Sequence, residues 1–372
     1  MAGSNGHNDS MTDAMTGAQS DGMSRRGLVL FAAMSVIWGI PYLLIKVALD
    51  DLSPTFLVFS RTGIAAAILL PLALRRGMVR PALARWRPLL AFAALEIGLP
   101  WFLLNDAERH MTSSLAGLLI AMVPLIGTVV TWRLGDTAAV AGSRLLGLLI
   151  GIIGVAAVVG LDLGSGATSW AGVTEVLLVS VGYAVAPIIA TRKLADVPTL
   201  GVIAVSLTGV ALAYSPAALF AHPHSWPPAK VVAAVLTLAL VCTATAFLVF
   251  FRLIAEIGPV RATVITFVNP AVAVLLGVSI LHEPFTAGIA VGFPLVLLGS
   301  WLHRENLVGA MITGRKPGRP ADGVRSAWRS VAALMLVAVL GFWWLQWRDA
   351  PPAGGLAGGS AVSAKVHDGD DD

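Results

Sequence analysis

Ser35-Val36-Ile37-Trp38 and Ser180-Val181-Gly182-Tyr183 are the two stretches that decide the fold. The same serine and an aromatic residue recur about 145 residues apart, each time inside an apolar run. Pro124 recurs as Pro270, and the pair Gly147 and Gly154 recurs as Gly292 and Gly299. A period of this length holds five apolar spans rather than one solenoid repeat. The chain therefore reads as a membrane bundle duplicated within itself, an architecture that usually moves a solute across a bilayer.

Composition agrees. Hydrophobic residues make up 57% of the chain and charged residues 12%, against roughly 25% charged in soluble domains. With a mean hydropathy of +0.82, this excludes a soluble globule. The single cysteine, Cys242, excludes an intrachain disulfide and a cysteine metal cluster, and reads as a packing residue. The net charge of +4 does not point to nucleic acid, because the basic residues lie between hydrophobic spans.

Apolar runs occupy 27–49, 54–74, 88–105, 112–132, 144–161, 171–191, 199–220, 230–251, 260–281 and 285–302. Each is close to the roughly 20 residues a helix needs to cross the hydrocarbon core. The expected fold is an all-α integral membrane protein of ten transmembrane helices in two inverted five-helix repeats, 27–161 and 171–303. Residues 1–26 read as a disordered cytoplasmic segment and 304–330 as a basic cytoplasmic linker. Residues 331–347 read as an extra C-terminal transmembrane helix and 348–372 as a disordered tail.

Lysine and arginine set the orientation. With the N-terminus in the cytoplasm, the inside segments hold Arg25 and Arg26, five arginines between Arg75 and Arg87, Arg133 and Arg144, Arg192 and Lys193, Arg252 and Arg261, and the run from Arg304 to Arg329. Outside fall only Lys46, Arg109, Lys230, Arg348 and Lys365. An odd number of spans per repeat then inverts the second half, in a multi-pass protein of the plasma membrane.

Several strings mislead. Ser24-Arg25-Arg26 resembles a twin-arginine signal, but nine more spans follow the first. The basic run Arg315 to Pro320 reads as a cytoplasmic loop against anionic lipid rather than a DNA hook. His282-Glu283-Pro284 lacks the second histidine of a zinc-protease motif and reads as a turn. Asn8-Asp9-Ser10 matches a glycosylation sequon, but this topology keeps it in the cytoplasm. No cluster of Asp, Glu and His marks an enzyme, so no catalytic residue, metal or cofactor is expected. His222 and His224 sit among prolines, and a turn-rich outer loop is favoured there over a metal site.

Polar residues within the spans are the functional candidates, because a charge at mid-bilayer costs about 2.5 to 3.5 kcal/mol on insertion scales. Arg61 in the second span and Glu96 in the third lie at depths that differ by roughly 5 Å at 1.5 Å of rise per residue. They read either as a buried ion pair joining two helices or as cavity residues, Arg61 holding an anionic group and Glu96 exchanging a proton. Lys46 either snorkels to the interface or touches substrate. Glu175 and Asp162 read as interfacial. Pro41, Pro124, Pro187, Pro270 and Pro294 each remove a backbone hydrogen bond, and the recurrence of Pro124 as Pro270 suggests paired kinks around a cavity. Asn269 either meets substrate or caps a freed carbonyl. Gly147, Gly151 and Gly154, and separately Gly288 and Gly292, form small faces for packing within the monomer or across a homodimer.

The string Trp38 to Lys46, Arg61, Thr112 to Ala116 leading to Val123-Pro124, then Val268-Asn269-Pro270 and Leu281-His282-Glu283-Pro284, resembles an EamA-type transporter of the drug/metabolite transporter superfamily. The resemblance covers about residues 27–303 and rests on the ordered set. It implies two inverted five-helix repeats, a central cavity and alternating access, usually in a metabolite exporter. Asp136 stands where that pattern has glutamate, and the eleventh span lies outside its core. The expected substrate-binding residues are Arg61, Glu96, Trp38, Lys46 and Asn269, with Glu96 also carrying the proton. The expected function is secondary, proton-coupled transport of small metabolites such as amino acids, with membrane lipid and a small-molecule substrate as partners. No nucleotide-binding loop suggests ATP coupling. The alternatives are a lipophilic-cation or drug exporter using Glu96, and a non-transporting membrane scaffold or receptor.

Overall fold

In the computed structural model, residues 24–135, 143–163, 169–257, 262 and 265–298 are described. They lie in the first of two units, Met1–Gly318; the second, Arg319–Asp372, falls outside the described residues, as do residues 1–23 and Asp136. The expectations for the linker, the eleventh span and the tail therefore concern residues outside those described.

Serine and threonine start four of the helices. Ser24, Ser53, Thr112 and Ser169 each accept a hydrogen bond from the backbone N–H three residues on, at 2.9 to 3.2 Å. Each satisfies a donor that the first helical turn leaves without a partner. In chain order the helices are α1 (Arg25–Ile37), α2 (Pro41–Ala48), α3 (Pro54–Arg75), α4 (Val79–Ala84), α5 (Trp86–Ala93), α6 (Leu99–Ala107), α7 (Ser113–Ile120), α8 (Val123–Arg133), α9 (Ser143–Leu163), α10 (Trp170–Lys193), α11 (Thr199–Phe220), α12 (Ala229–Ala239), α13 (Ala246–Ile257), α14 (Ile265–Ile280) and α15 (Ala287–Leu298). Seven helical stretches are long and apolar enough to cross a membrane, four of them running through a break or a widened turn, and three shorter apolar helices accompany them. Every described element is helical.

Two spans break where proline enters. Pro41 and Pro124 sit in the first turn of α2 and α8, where the missing N–H costs nothing because that turn has no intrahelical acceptor for it. Pro187 and Pro270 lie inside continuous helices. The expected paired kinks at Pro124 and Pro270 are thus unlike in form: one starts a new helix and the other does not interrupt its own.

Two further spans widen rather than break. Ala94–Gly98 joins α5 to α6, and Leu240–Thr245 joins α12 to α13, each as a stretch of π-helix. They occur at equivalent places in the two halves, one repeat length apart. Each inserts an extra residue into its turn and re-aims the side chains that follow.

Helix association in lipid rests on close packing and polar contacts. A Cβ on Gly154 would lie 2.8 Å from Leu295 and the Val296 nitrogen, and one on Gly292 would meet Gly154's carbonyl oxygen at 2.6 Å. These two glycines therefore seat α9 directly on α15, inside the monomer. Glu175, early in α10, is buried within the protein, near Asp106 of α6. Asp106, which acts on the Glu175 carboxyl, is itself ion-paired with Arg109 at 3.1 Å.

Candidate functional site

A cavity of about 480 Å³ opens between the two halves. Trp38, Arg61, Glu96 and Asn269, four of the five residues singled out from sequence, line it. The duplicated landmarks also meet there, since Trp38 and Tyr183 face it, as do Pro124 and Pro270. Their neighbours keep the repeat as well: Ser35 and Ser180 each donate to the carbonyl four residues back, at 2.9 Å.

Arg61 is buried on α3, yet no carboxylate among the described residues lies within 4.0 Å of its guanidinium. Its Nε donates to the Thr243 hydroxyl at 2.9 Å, and its guanidinium carbon lies 3.7 Å from the centroid of the Trp101 ring. Thr243 in turn donates to the carbonyl of Leu238, five residues back, a reach made available by the π-helical turn. The ion pair of Arg61 with Glu96, one of the two readings from sequence, does not form. Glu96 lies in the other π-helical turn, and its Oε2 is buried without a hydrogen-bond partner. The widened turn rotates Glu96 relative to an ideal helix, so depth along the axis is a poor guide to its direction.

Asn269 explains how the first span stays broken. At the break, the N–H of Gly39 bonds to Val36 and so leaves the Ser35 carbonyl without its helical donor. With its amide turned so that nitrogen faces the two carbonyls, Asn269 donates to Ser35 at 3.0 Å and to Ile265 at 2.9 Å. It caps a freed carbonyl, but on the neighbouring span rather than beside Pro270. Gly39 allows this approach, because a Cβ there would overlap Val272 and lie 3.2 Å from the Asn269 carbonyl oxygen. Trp38 packs its ring 4.7 Å from Phe250 and 6.3 Å from Phe247, forming an aromatic wall.

Lys46 is not among the cavity-lining residues. Its ammonium donates instead to the backbone carbonyls of Glu108 and of Met111, the latter at 2.8 Å. The same end of the bundle carries a second closure. Glu283 accepts from Ser113 N at 2.7 Å, Ser114 N at 3.0 Å and Ser114 Oγ at 2.6 Å, so a carboxylate caps the N-terminus of α7. Gly277 leaves room for that carboxylate, since a Cβ there would overlap Ser114 Oγ and Glu283 Oε2. At the opposite end, Ser24 donates to Glu256 at 2.7 Å and Arg85 pairs with Asp196 at 2.6 Å, both exposed.

Thr243 and Trp101 as partners of Arg61 were not legible from sequence, whereas Tyr183 was marked by its recurrence with Trp38. Glu108 carries a weak sequence signal, an acid three residues beyond the apolar run 88–105.

Residues 25–160 and 170–303 each match the model of the EamA-like transporter family. The chain is 29% identical to the "uncharacterized inner membrane transporter YedA" of Escherichia coli K12, over 77% of this chain and 97% of that protein. It is 25% identical to the "uncharacterized transporter YvbV" of Bacillus subtilis, over 73% of this chain and 89% of that protein. An "uncharacterized transporter" of Archaeoglobus fulgidus is also 25% identical, over 75% and 98%. A solved crystal structure that is 19% identical shares the fold, with a TM-score of 0.56 over 78% of this chain and 99% of its own.

Proposed function

On the premise that the chain belongs to the EamA-like transporter family, we propose that it is a secondary active exporter of small carboxylate-bearing metabolites, amino acids or related compounds. Its ten helices form two inverted five-helix repeats in the plasma membrane, with the N-terminus in the cytoplasm. Arg61 is the observation that carries this reading. A guanidinium held on a cavity wall by Thr243 and Trp101, with no carboxylate partner among the described residues, keeps its remaining donors for an anionic group. Trp38, Phe247 and Phe250 offer an apolar surface to the rest of the molecule. Glu96, also on the wall, exchanges a proton as the cavity alternates between the two faces.

One observation favours a second reading. Glu96 Oε2 lacks a partner, and aromatic rings line the same cavity, which suits a lipophilic cation. Purified protein in proteoliposomes, screened for flux of amino acids, nucleosides and cationic dyes under an imposed proton gradient, separates the two. Carboxylate flux lost in Arg61→Gln supports the anion site. Dye flux that survives Arg61→Gln and is lost in Glu96→Gln overturns it in favour of the cation exporter. Vesicles that move none of these solutes count against transport of these classes.

A further inference from the structure

Glu108 lies one residue beyond the span Trp86–Ala107, in the turn leading to α7. Its side chain is fully enclosed, and neither carboxylate oxygen has a hydrogen-bond partner among the described residues. The neighbouring cations are engaged elsewhere: Lys46 on two backbone carbonyls and Arg61 on Thr243. Neither comes within 4.0 Å of the Glu108 carboxylate. The groups acting on it from the elements packed around it are Tyr42 and Lys46 of α2, Arg61 of α3 and Glu283 of the segment after α14. Asp106, Arg109 and Glu175 form their own cluster towards α10. Burial pushes the Glu108 carboxyl well above its usual range and Glu283 pushes the same way, while Lys46 and Arg61 oppose them.

The closure beside it is the Glu283 cap on Ser113 and Ser114, which ties the segment after α14 to the N-terminus of α7, and Glu283 acts electrostatically on Glu108. We infer that Glu108 is the proton site of this end seal, holding a proton while Glu283 caps α7 and releasing it to water when that contact opens. In the step, the O–H bond of the carboxylic acid breaks and the proton passes to solvent on that face. The carboxylate left behind is then hydrated instead of being enclosed without a partner. The sealed form holds one proton more than the open form, so acid favours sealing and alkali favours opening. This deepens the transport reading, and rests on it, by adding to Glu96 a second proton site that responds to the state of the outer end.

The test uses the full-length protein in liposomes, with a single reporter cysteine in a Cys242→Ser background. Ser113→Cys is the reporter, because Ser113 is fully buried and its hydroxyl makes no hydrogen bond, so the cap through its backbone N–H is kept. Labelling by an impermeant maleimide is divided by that of Ser225→Cys, in an exposed loop, which cancels the pH dependence of thiol chemistry. With Glu108 present, the ratio rises at least about fivefold between about pH 5 and about pH 9. In Glu108→Gln it stays low throughout. In Glu108→Asp the rise remains, with its midpoint moved.

A flat ratio in the parent, or a Glu108→Gln profile that follows the parent, overturns the assignment. Where Glu108→Gln does not fold, the aspartate variant decides, and a profile superimposed on the parent's overturns it. No transported solute is needed. A missing flux with this profile intact therefore counts against the transport reading, and flux with a flat profile counts against Glu108.

Discussion

Arg61 turns its Nε to the hydroxyl of Thr243, 2.9 Å away, and not to the carboxylate of Glu96. The bond crosses between the two halves of the chain, from α3 to the π-helical turn after α12. It orients the guanidinium against Trp101 without neutralising it. A charge positioned but not paired is suited to a ligand that comes and goes. A charge pair within the protein would have to be broken at every binding event.

Replacing Arg61 by lysine keeps the charge but removes the fork and the flat face that stacks on Trp101. Transport is expected to fall at least about tenfold in Arg61→Lys. Thr243→Val should lower apparent affinity by a similar factor, since one hydrogen bond to a charged group is worth about 1.5 to 3 kcal/mol. Proteoliposome flux against substrate concentration checks both, and an unchanged KM in Thr243→Val would remove Thr243 from the site.

Because Arg61 and Glu96 do not pair, their effects on stability should be independent. In a double-mutant cycle of Arg61→Gln and Glu96→Gln, the shifts in unfolding free energy should add within about 0.3 to 0.5 kcal/mol. A coupling above about 1 kcal/mol, measured by denaturation in detergent, would mean that the two charges meet in solution.

Gly39 sets the distance between the broken first span and α14. Gly39→Ala drives a methyl group into Val272 and should destabilise the fold by about 1 to 3 kcal/mol. Gly160→Ala is the counterpart, because nothing lies within 4 Å of a Cβ there, and it should be neutral or stabilising by up to about 1 kcal/mol. Thermal unfolding of the two variants side by side reads the difference.

The proposed orientation is open to a direct check. Ser225, between α11 and α12, and Arg80, on the short helix α4, are both exposed, in connections that the alternation of spans assigns to opposite faces. In a Cys242→Ser background, Ser225→Cys should react with an impermeant thiol reagent on intact cells, and Arg80→Cys should react only after lysis. The reverse pattern would invert the topology.

Hydropathy, span length and the recurrence of serine, aromatic, proline and glycine landmarks come from local composition, so the chain alone determined a duplicated all-helical membrane protein. It also located Arg61, Glu96 and Asn269 as polar residues within spans and Trp38 as a repeated landmark, and all four line one cavity. Their partners were another matter. Which way Glu96 points depends on an extra residue in the turn at Ala94–Gly98, and the partner of Arg61 depends on a matching turn at Leu240–Thr245. A π-helical turn carries no composition signal, because it exchanges one set of backbone hydrogen bonds for another. Lys46 likewise took its partners from the main chain of a neighbouring turn, Glu108 and Met111. Every residue has a carbonyl to offer, so only the rotation and register of packed helices decide which of them a buried ammonium meets.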